Sequence, residues 1–453
     1  MNTPDTDVRR LVWQLLSGDH PFPSRALDSA LAEGSIDPRD RGLAKELLTG
    51  VLRHQSTLEA VAAAYSNRRI KEDDVRWALC VGLYQLLFLD RVPVHAAIDA
   101  TLNAVKPELS PKSGFLNAIL RGVSRGITKV NKKYAPSRDL LPDPGWRFDR
   151  GVFLDPRKDE LGHLAEINGY PRFLLKRWVE EVGEDVATKR MTAMNSKAAL
   201  WLRVNRLRCG ADQVQKALAD VGIETDGPVD EVMLRVRSIE TSVPMTTWPG
   251  FADGWWSVQD LTSYRSIALG KPAAGERILD LCAAPGGKSF AAFEMSDGKA
   301  KILACDVSEA RLAVMHAEAE RLGHEITMRV IDGEGSDLPE GPWDLVLCDV
   351  PCSNTGVLHK RPEARGRFRK EELHKVVTLQ NLLRKRLILP ALQDSTRVLW
   401  TTCSLELEEN QEQGARLAKA SGRVLHAETV FEPSAEQAGG YAALVCPEST
   451  TPA

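Results

Sequence analysis

From Arg277 onward five short apolar runs recur with helical stretches between them, and this alternation limits the fold more than any other feature of the chain. The runs are Arg277 to Cys282, Ile302 to Cys305, Ile326 to Val330, Leu345 to Cys348 and Arg397 to Trp400. Each reads as a short strand buried on both faces. Between the second and third, Ser308 to Leu322 carries Leu312, Met315, Ala319 and Leu322 on one face, with Ser308 as N-cap and Gly323 as stop. Strands that alternate with helices make a parallel sheet covered on both sides, a doubly wound α/β domain.

The first 130 residues follow another period. Val8, Leu11, Val12 and Leu15 recur at helical spacing, as do Leu43, Leu47 and Val51, and Leu116, Ile119, Leu120 and Val123. Residues 1–130 therefore read as an all-α module. Periodicity fails over 131–159, where Lys132, Lys133, Pro136, Pro142, Pro144, Gly145 and Pro156 predict a linker. Residues 160–245 mix helix with a strand at Leu200 to Val204, and 246–453 hold the α/β domain.

With 453 residues, 43% hydrophobic and 27% charged at a net charge of -3, the chain has the composition of a globular enzyme. That balance excludes a protein basic throughout, though not a local basic face. The longest apolar stretch, Ala78 to Leu89, contains Gln85 and falls short of the roughly 18 residues a membrane span needs. Asp5, Asp7, Arg9 and Arg10 precede no signal core, so a cytoplasmic protein with eight free thiols is expected. No CxxC pair occurs, and no metal is expected.

Ligands of a doubly wound sheet sit at the carboxyl ends of its strands. The first strand here runs into Cys282-Ala283-Ala284-Pro285-Gly286-Gly287-Lys288, whose small residues let a ligand approach the backbone of the helix that follows. Asp306 ends the next strand, 19 residues beyond Gly287, where a carboxylate accepts from ribose hydroxyls. Asp332 and Asp349 follow at the third and fourth strand ends. Gly287-Lys288-Ser289 ends like a phosphate loop, but Cys282 stands where that motif needs its first glycine. GxGxxG is absent too. An adenosyl group with few or no phosphates fits best.

Two cysteines lie just past strand ends on the same side: Cys352 in Asp349-Val350-Pro351-Cys352-Ser353-Asn354-Thr355-Gly356, and Cys403 in Thr401-Thr402-Cys403-Ser404. A thiolate there has a use. Carbon 5 of cytosine is too poor a nucleophile to take a methyl group from a sulfonium, and a thiolate adding to carbon 6 makes it enamine-like. Asp349 is placed to hydrogen-bond the base at nitrogen 3. Spacing alone does not rank one cysteine above the other.

The motifs LDLCAAPGGK (Leu279 to Lys288), DVPCSNTG (Asp349 to Gly356) and TTCSLELEEN (Thr401 to Asn410) resemble, in this order, the Sun/RsmB group of RNA (cytosine-5)-methyltransferases, which act on small-subunit ribosomal RNA. LRVNRLR at Leu202 to Arg208 and SVQDLTSY at Ser257 to Tyr264 support the match, with further agreement at Val92 to Lys106 and Gly114 to Arg125. The resemblance implies a NusB-like RNA-binding domain ahead of a class I, Rossmann-like methyltransferase. It implies that Cys282 to Lys288, Asp306, Asp332 and Asp349 bind S-adenosylmethionine, that Cys403 is the nucleophile, and that Cys352 assists release. Ribosomal RNA is the implied partner of a monomer with no obligate protein partner.

Two residues depart from the family pattern. Val350 is expected to add bulk beside the target base, and Asn354 stands where the family has glycine, in a place that Asn can still serve. The basic stretch His359-Lys360-Arg361-Pro362-Glu363 is either an RNA-phosphate contact or a solvated loop. Arg53, Arg68, Arg69, Lys71, Arg121, Arg125, Lys129, Lys132 and Lys133 give the helical half local positive charge. Transfer RNA as substrate, or a non-catalytic assembly factor, are the rival readings; the intact cysteines and acids weigh against the second.

Overall fold

A computed structural model describes residues 7–18, 20, 22–33, 36–130, 134–240 and 243–448; Asp5, Lys132 and Lys133 lie outside these. The chain forms two compact units, residues 1–195 with 358–369, and residues 196–357 with 370–453.

In the first unit, helices Val8–Ser17, Pro23–Glu33, Pro38–Arg53, Gln55–Ser66, Asp73–Phe88, Val94–Leu109 and Ser113–Gly126 share one apolar core. Helix Asp73–Phe88 is its axis, buried continuously from Trp77 to Leu87. Such a helix is apolar all round because it has neighbours all round. Its Gln85 is tolerated because it donates to Val81 O and Thr101 Oγ1, at 3.0 and 2.9 Å, and accepts from Arg9 Nε at 2.8 Å. Gly50 allows the close approach of Tyr84, whose ring occupies the space a Cβ would need.

The 131–159 stretch differs from the predicted linker. Strands Leu140–Leu141 and Trp146–Phe148 form a small antiparallel sheet with Ile127–Lys129, and Leu141 and Phe148 join the helical core. Strands of two or three residues are too short to show alternation among so many prolines. Helices Glu160–Ile167, Arg172–Val182 and Glu184–Asn195 complete this unit, so the mixed segment predicted at 160–245 is shared between the two units.

The second unit has two sheets. Strands Ile223–Val229, Met233–Ile239, Leu200–Val204 and Trp256–Val258, in that spatial order, make a four-stranded antiparallel sheet. The larger sheet comprises β1 (Arg277–Asp280), β2 (Lys301–Asp306), β3 (Thr327–Val330), β4 (Leu345–Asp349), β5 (Arg397–Thr402), β6 (Val424–Phe431) and β7 (Gly440–Cys446). Their order is β3-β2-β1-β4-β5-β7-β6. The first five pair in parallel, while β7 runs antiparallel to both β5 and β6. Leu345, Leu347 and Leu399 face one core, and Val346, Cys348, Val398 and Trp400 the other, which is why these strands read as unbroken apolar runs. Strands β6 and β7 were not foreseen. No helix among the described residues is long and apolar enough to cross a membrane.

Candidate active site

Because β1, β2, β4 and β5 are parallel, their carboxyl ends share one edge of the sheet, and the sequence-predicted residues meet there. After β1 the chain turns at Gly286, at φ 100°, into helix Gly287–Met295. A side chain there would be strained and would strike Phe290 and Met315 at 2.5 and 2.7 Å. The Gly287 carbonyl accepts from Arg203 Nη1 at 3.0 Å and Gln259 Nε2 at 2.9 Å. Arg203 is itself buried against Glu294. The LRVNRLR and SVQDLTSY stretches thus brace the glycine turn, a role that their pattern did not reveal.

Asp306, at the end of β2, is 3% exposed. It accepts from Ala284 N at 3.2 Å and Ser308 N at 3.0 Å and pairs with Arg311 at 3.0 Å. Asp332, beyond β3, is exposed and accepts from Glu334 N, Gly335 N and the Ser336 hydroxyl. Those bonds, the Ser336 one foremost, hold its carboxyl down at about 2. Asp349 ends β4, opposite Thr401 of β5. Its Oδ2 lies 2.6 Å from Lys288 Nζ and its Oδ1 accepts from Thr401 Oγ1 at 3.1 Å. Burial opposes the charge on Lys288, but Asp349 more than compensates and raises the ammonium above its ordinary value.

Cys352 and Cys403 approach to 3.0 Å between sulfurs, both as free thiols. Cys403 donates to Asn354 Oδ1 at 3.3 Å. The hydrogen bond to Cys403, with burial, pushes the Cys352 thiol well above its usual range. Cys282 lies two residues past β1, its thiol pushed up by burial and by Asp280. The expected bulk of Val350 beside the base is corrected: Val350 is 3% exposed and packs into the sheet core with Val346 and Cys348. Two residues beyond Cys348 and four beyond Val346, it continues their buried register rather than facing the edge. Asn354 adopts φ 63°, the left-handed conformation that Asn accepts in place of glycine.

Several residues here escaped the sequence reading. Glu409, fully buried, accepts from the backbone N–H and hydroxyl of Ser353 and from the Ser404 hydroxyl. Thr355 Oγ1 joins Ser404 Oγ at 3.3 Å and accepts from Leu405 N at 2.9 Å. In the sequence Glu406, Glu408 and Glu409 look alike, as a charged turn would. The basic stretch after Gly356 belongs to the first unit, where Lys360 and Arg361 are exposed, but Glu363 is buried and accepts from Ser24 Oγ at 3.0 Å. Arg365 anchors that segment, donating to Arg53 O, Asn195 Oδ1 and Tyr170 Oη at 2.8, 2.9 and 3.1 Å. Among the described residues no three His, Cys, Asp or Glu side chains gather as a metal site.

Residues 267–450 match the family described as 16S rRNA methyltransferase RsmB/F, residues 10–125 the NusB family, and residues 170–237 the ferredoxin-like domain of RsmF/B-like methyltransferases. The ribosomal RNA small subunit methyltransferase B of Salmonella arizonae is 33% identical over 383 residues, 83% of this chain and 82% of that protein. The chain belongs to the RsmB/F methyltransferase family. The RsmB-type relative from Salmonella heidelberg is 32% identical over the same coverage. Among solved structures, PH0851 covers 98% of this chain and 99% of its own at TM-score 0.75 and 21% identity. NSun6 from Pyrococcus horikoshii, solved with SFG, covers 61% of this chain and 98% of its own at TM-score 0.55 and 18% identity. These two share the fold. The RsmB/F chain thus joins a NusB-type helical domain to a Rossmann-like methyltransferase domain with a mixed sheet.

Proposed function

We propose that this RsmB/F member transfers a methyl group from S-adenosylmethionine to carbon 5 of a cytosine in small-subunit ribosomal RNA, with Cys403 as nucleophile. One observation carries the reading: two free thiols in contact at 3.0 Å, beside Asp349, which is tied to the glycine turn by Lys288 at 2.6 Å. The names of the family and of its Salmonella relatives support the substrate.

The residues fit the proposed cofactor. Two cations stand at this edge, but Lys288 is paired with Asp349 and Arg311 with Asp306, which suits a ligand poor in phosphate. Val307, beside Asp306, is 62% exposed and offers an apolar face for a purine. Asp306 would receive the ribose hydroxyls, with the turn Cys282, Ala283, Ala284, Pro285, Gly286, Gly287 and Lys288 lining the remainder, Asp332 flanking it and Asp349 at its inner end. S-adenosylmethionine, when bound, supplies an activated methyl group on a sulfonium.

This chain's own groups do the rest. The Cys403 thiolate adds to carbon 6, forming a sulfur–carbon bond and moving the ring electrons toward carbon 5. As the thiolate adds, nitrogen 3 takes up a proton from water, and Asp349, a hydrogen-bond acceptor fixed by Lys288 and Thr401, holds the resulting N–H. After methylation, a water molecule takes the carbon 5 proton; the electron pair of that C–H bond restores the double bond and the sulfur–carbon bond breaks, returning the Cys403 thiolate. Cys352, whose thiol keeps its proton, is the partner that eases this departure. The target base must leave its stack to reach the thiols, so single-stranded or loop RNA is the form bound.

The test is incorporation of labelled methyl into 16S ribosomal RNA from a deletion strain, with bisulfite sequencing to locate it. One cytosine unmethylated in the deletion strain and restored by the purified protein is the expected result. Restoration only in transfer RNA would overturn the substrate.

A further inference from the structure

The reaction above uses the two thiols and Asp349, and leaves Glu409 without a part. Glu409 touches neither sulfur, yet its side chain spans the residues that follow them. Its Oε2 accepts from Ser353 N at 2.8 Å and Gln380 Nε2 at 3.1 Å; its Oε1 accepts from Ser353 Oγ at 2.5 Å and Ser404 Oγ at 2.6 Å. Ser353 follows Cys352 and Ser404 follows Cys403. One carboxylate therefore clasps the loop after β4 to the loop after β5. Gln380, from helix Lys370–Leu383, also donates to Pro351 O at 2.8 Å and secures the first loop from behind.

Stability alone is a poor reason for such a group. Burying a carboxylate costs several kcal/mol of hydration, and well-packed apolar residues often do better. The penalty shows: burial pushes the Glu409 carboxyl up to about 7, against the pull of its bonds from Ser353 and Ser404. Four donors on two oxygens use the acceptor capacity of an ionised carboxylate, and a neutral amide would turn an N–H toward some of them. What the arrangement secures is geometry. Cys352 and Cys403 lie 51 residues apart in sequence, on loops of different strands. The backbone joins those loops at Val350 N to Thr401 O and Gly356 N to Cys403 O, on either side of Cys352, and at Cys352 and Ser353 themselves the tie is made by side chains.

We propose that Glu409 is a positioning residue that holds the two thiols in register, so that release through Cys352 stays coupled to attack by Cys403. The chemical part of this inference rests on the function proposed above; the geometric part does not. Misplacing a reacting group by about 1 Å can cost about 10²-fold in rate. Glu409→Gln should therefore turn over about 10²-fold more slowly than the wild type and accumulate covalent protein–RNA adduct, with KM for S-adenosylmethionine unchanged.

The geometric readout is dibromobimane, which bridges two thiols only when they are close, applied to the full chain with Cys352→Ala as the blank. The expected result is rapid bridging in the wild type and at least about tenfold slower bridging in folded Glu409→Gln. Equal bridging rates overturn the proposal. Should Glu409→Gln not fold, Ser404→Ala and Ser353→Ala each remove one hydroxyl donor and keep the carboxylate; slowed bridging in both supports the proposal and unchanged bridging overturns it. A wild type that makes no 5-methylcytosine, but bridges its thiols faster than Glu409→Gln does, refutes the function and supports the positioning role.

Discussion

Along the ligand edge of the large sheet, the side formed by β1, β2 and β3 supports its carboxylates with backbone N–H groups as well as with Arg311 and Ser336, whereas the side formed by β4 and β5 adds a side-chain clasp to the backbone bonds Val350 N to Thr401 O and Gly356 N to Cys403 O. Asp306 leans on Ala284 N and Ser308 N, and Asp332 on Glu334 N and Gly335 N. Cys352 and Cys403 instead depend on Glu409, Ser353, Ser404, Thr355 and Gln380. A backbone cradle survives most substitutions around it, because every residue but proline supplies an N–H. A side-chain clasp has no such redundancy. The cofactor side should therefore yield in small steps, and the thiol side all at once.

The largest effect belongs to the thiol side. Cys403→Ala removes the nucleophile, and methyl transfer should fall by at least about 10³-fold with donor binding intact. Turnover near wild type would reverse the assignment of the two cysteines. Cys352→Ala comes next: transfer should proceed once, then stall as a covalent protein–RNA species visible on a denaturing gel. On the cofactor side, Asp306→Asn keeps the shape and removes the charge, so Kd for S-adenosylmethionine should rise about tenfold, worth about 1.4 kcal/mol, in calorimetry. A loss there as complete as that in Cys403→Ala would erase the contrast between the two sides.

The smallest effect separates two buried carboxyls. Asp280, at the end of β1, is pushed up to about 7 by burial, and Ser289 Oγ donates to it at 2.6 Å. A carboxyl raised above its unfolded value of about 4 keeps its proton in the folded state. Its contribution to stability is present at low pH and lost as pH rises toward 7. Thermal melts of wild type against Asp280→Asn should thus show the wild type losing ground between about pH 4 and 7 and no further change above that. Glu409 is raised to the same value, yet Glu409→Gln should also slow thiol bridging, which Asp280→Asn should leave alone.

What the sequence showed and what it hid divide along the same line. The five parallel strands were legible because burial on both faces leaves unbroken apolar runs. The turn from Cys282 to Lys288, and Asp306 after it, were legible because backbone geometry demands glycine and spacing. Strand β6 escaped notice because it lies at the edge of the sheet, with Val424, His426 and Glu428 exposed on its outer face and so no unbroken apolar run. Strand β7 is wholly buried, but it follows no helix and so breaks the alternation. Glu409 was hidden among Glu406, which is buried too, and Glu408, since sequence carries no sign of which acid turns inward or what it meets there. Val350 was misread for the same reason: adjacency to Cys352 in sequence is not adjacency in the pocket.

The most direct measurement traps the attacking sulfur itself. Small-subunit RNA substituted with 5-fluorocytosine cannot lose its carbon 5 substituent after methylation, so the sulfur–carbon bond persists. Incubating the wild-type chain with that RNA and S-adenosylmethionine, then mapping the modified peptide by mass spectrometry, should place the adduct on Cys403. An adduct on Cys352, with Cys403 unmodified, would contradict the assignment.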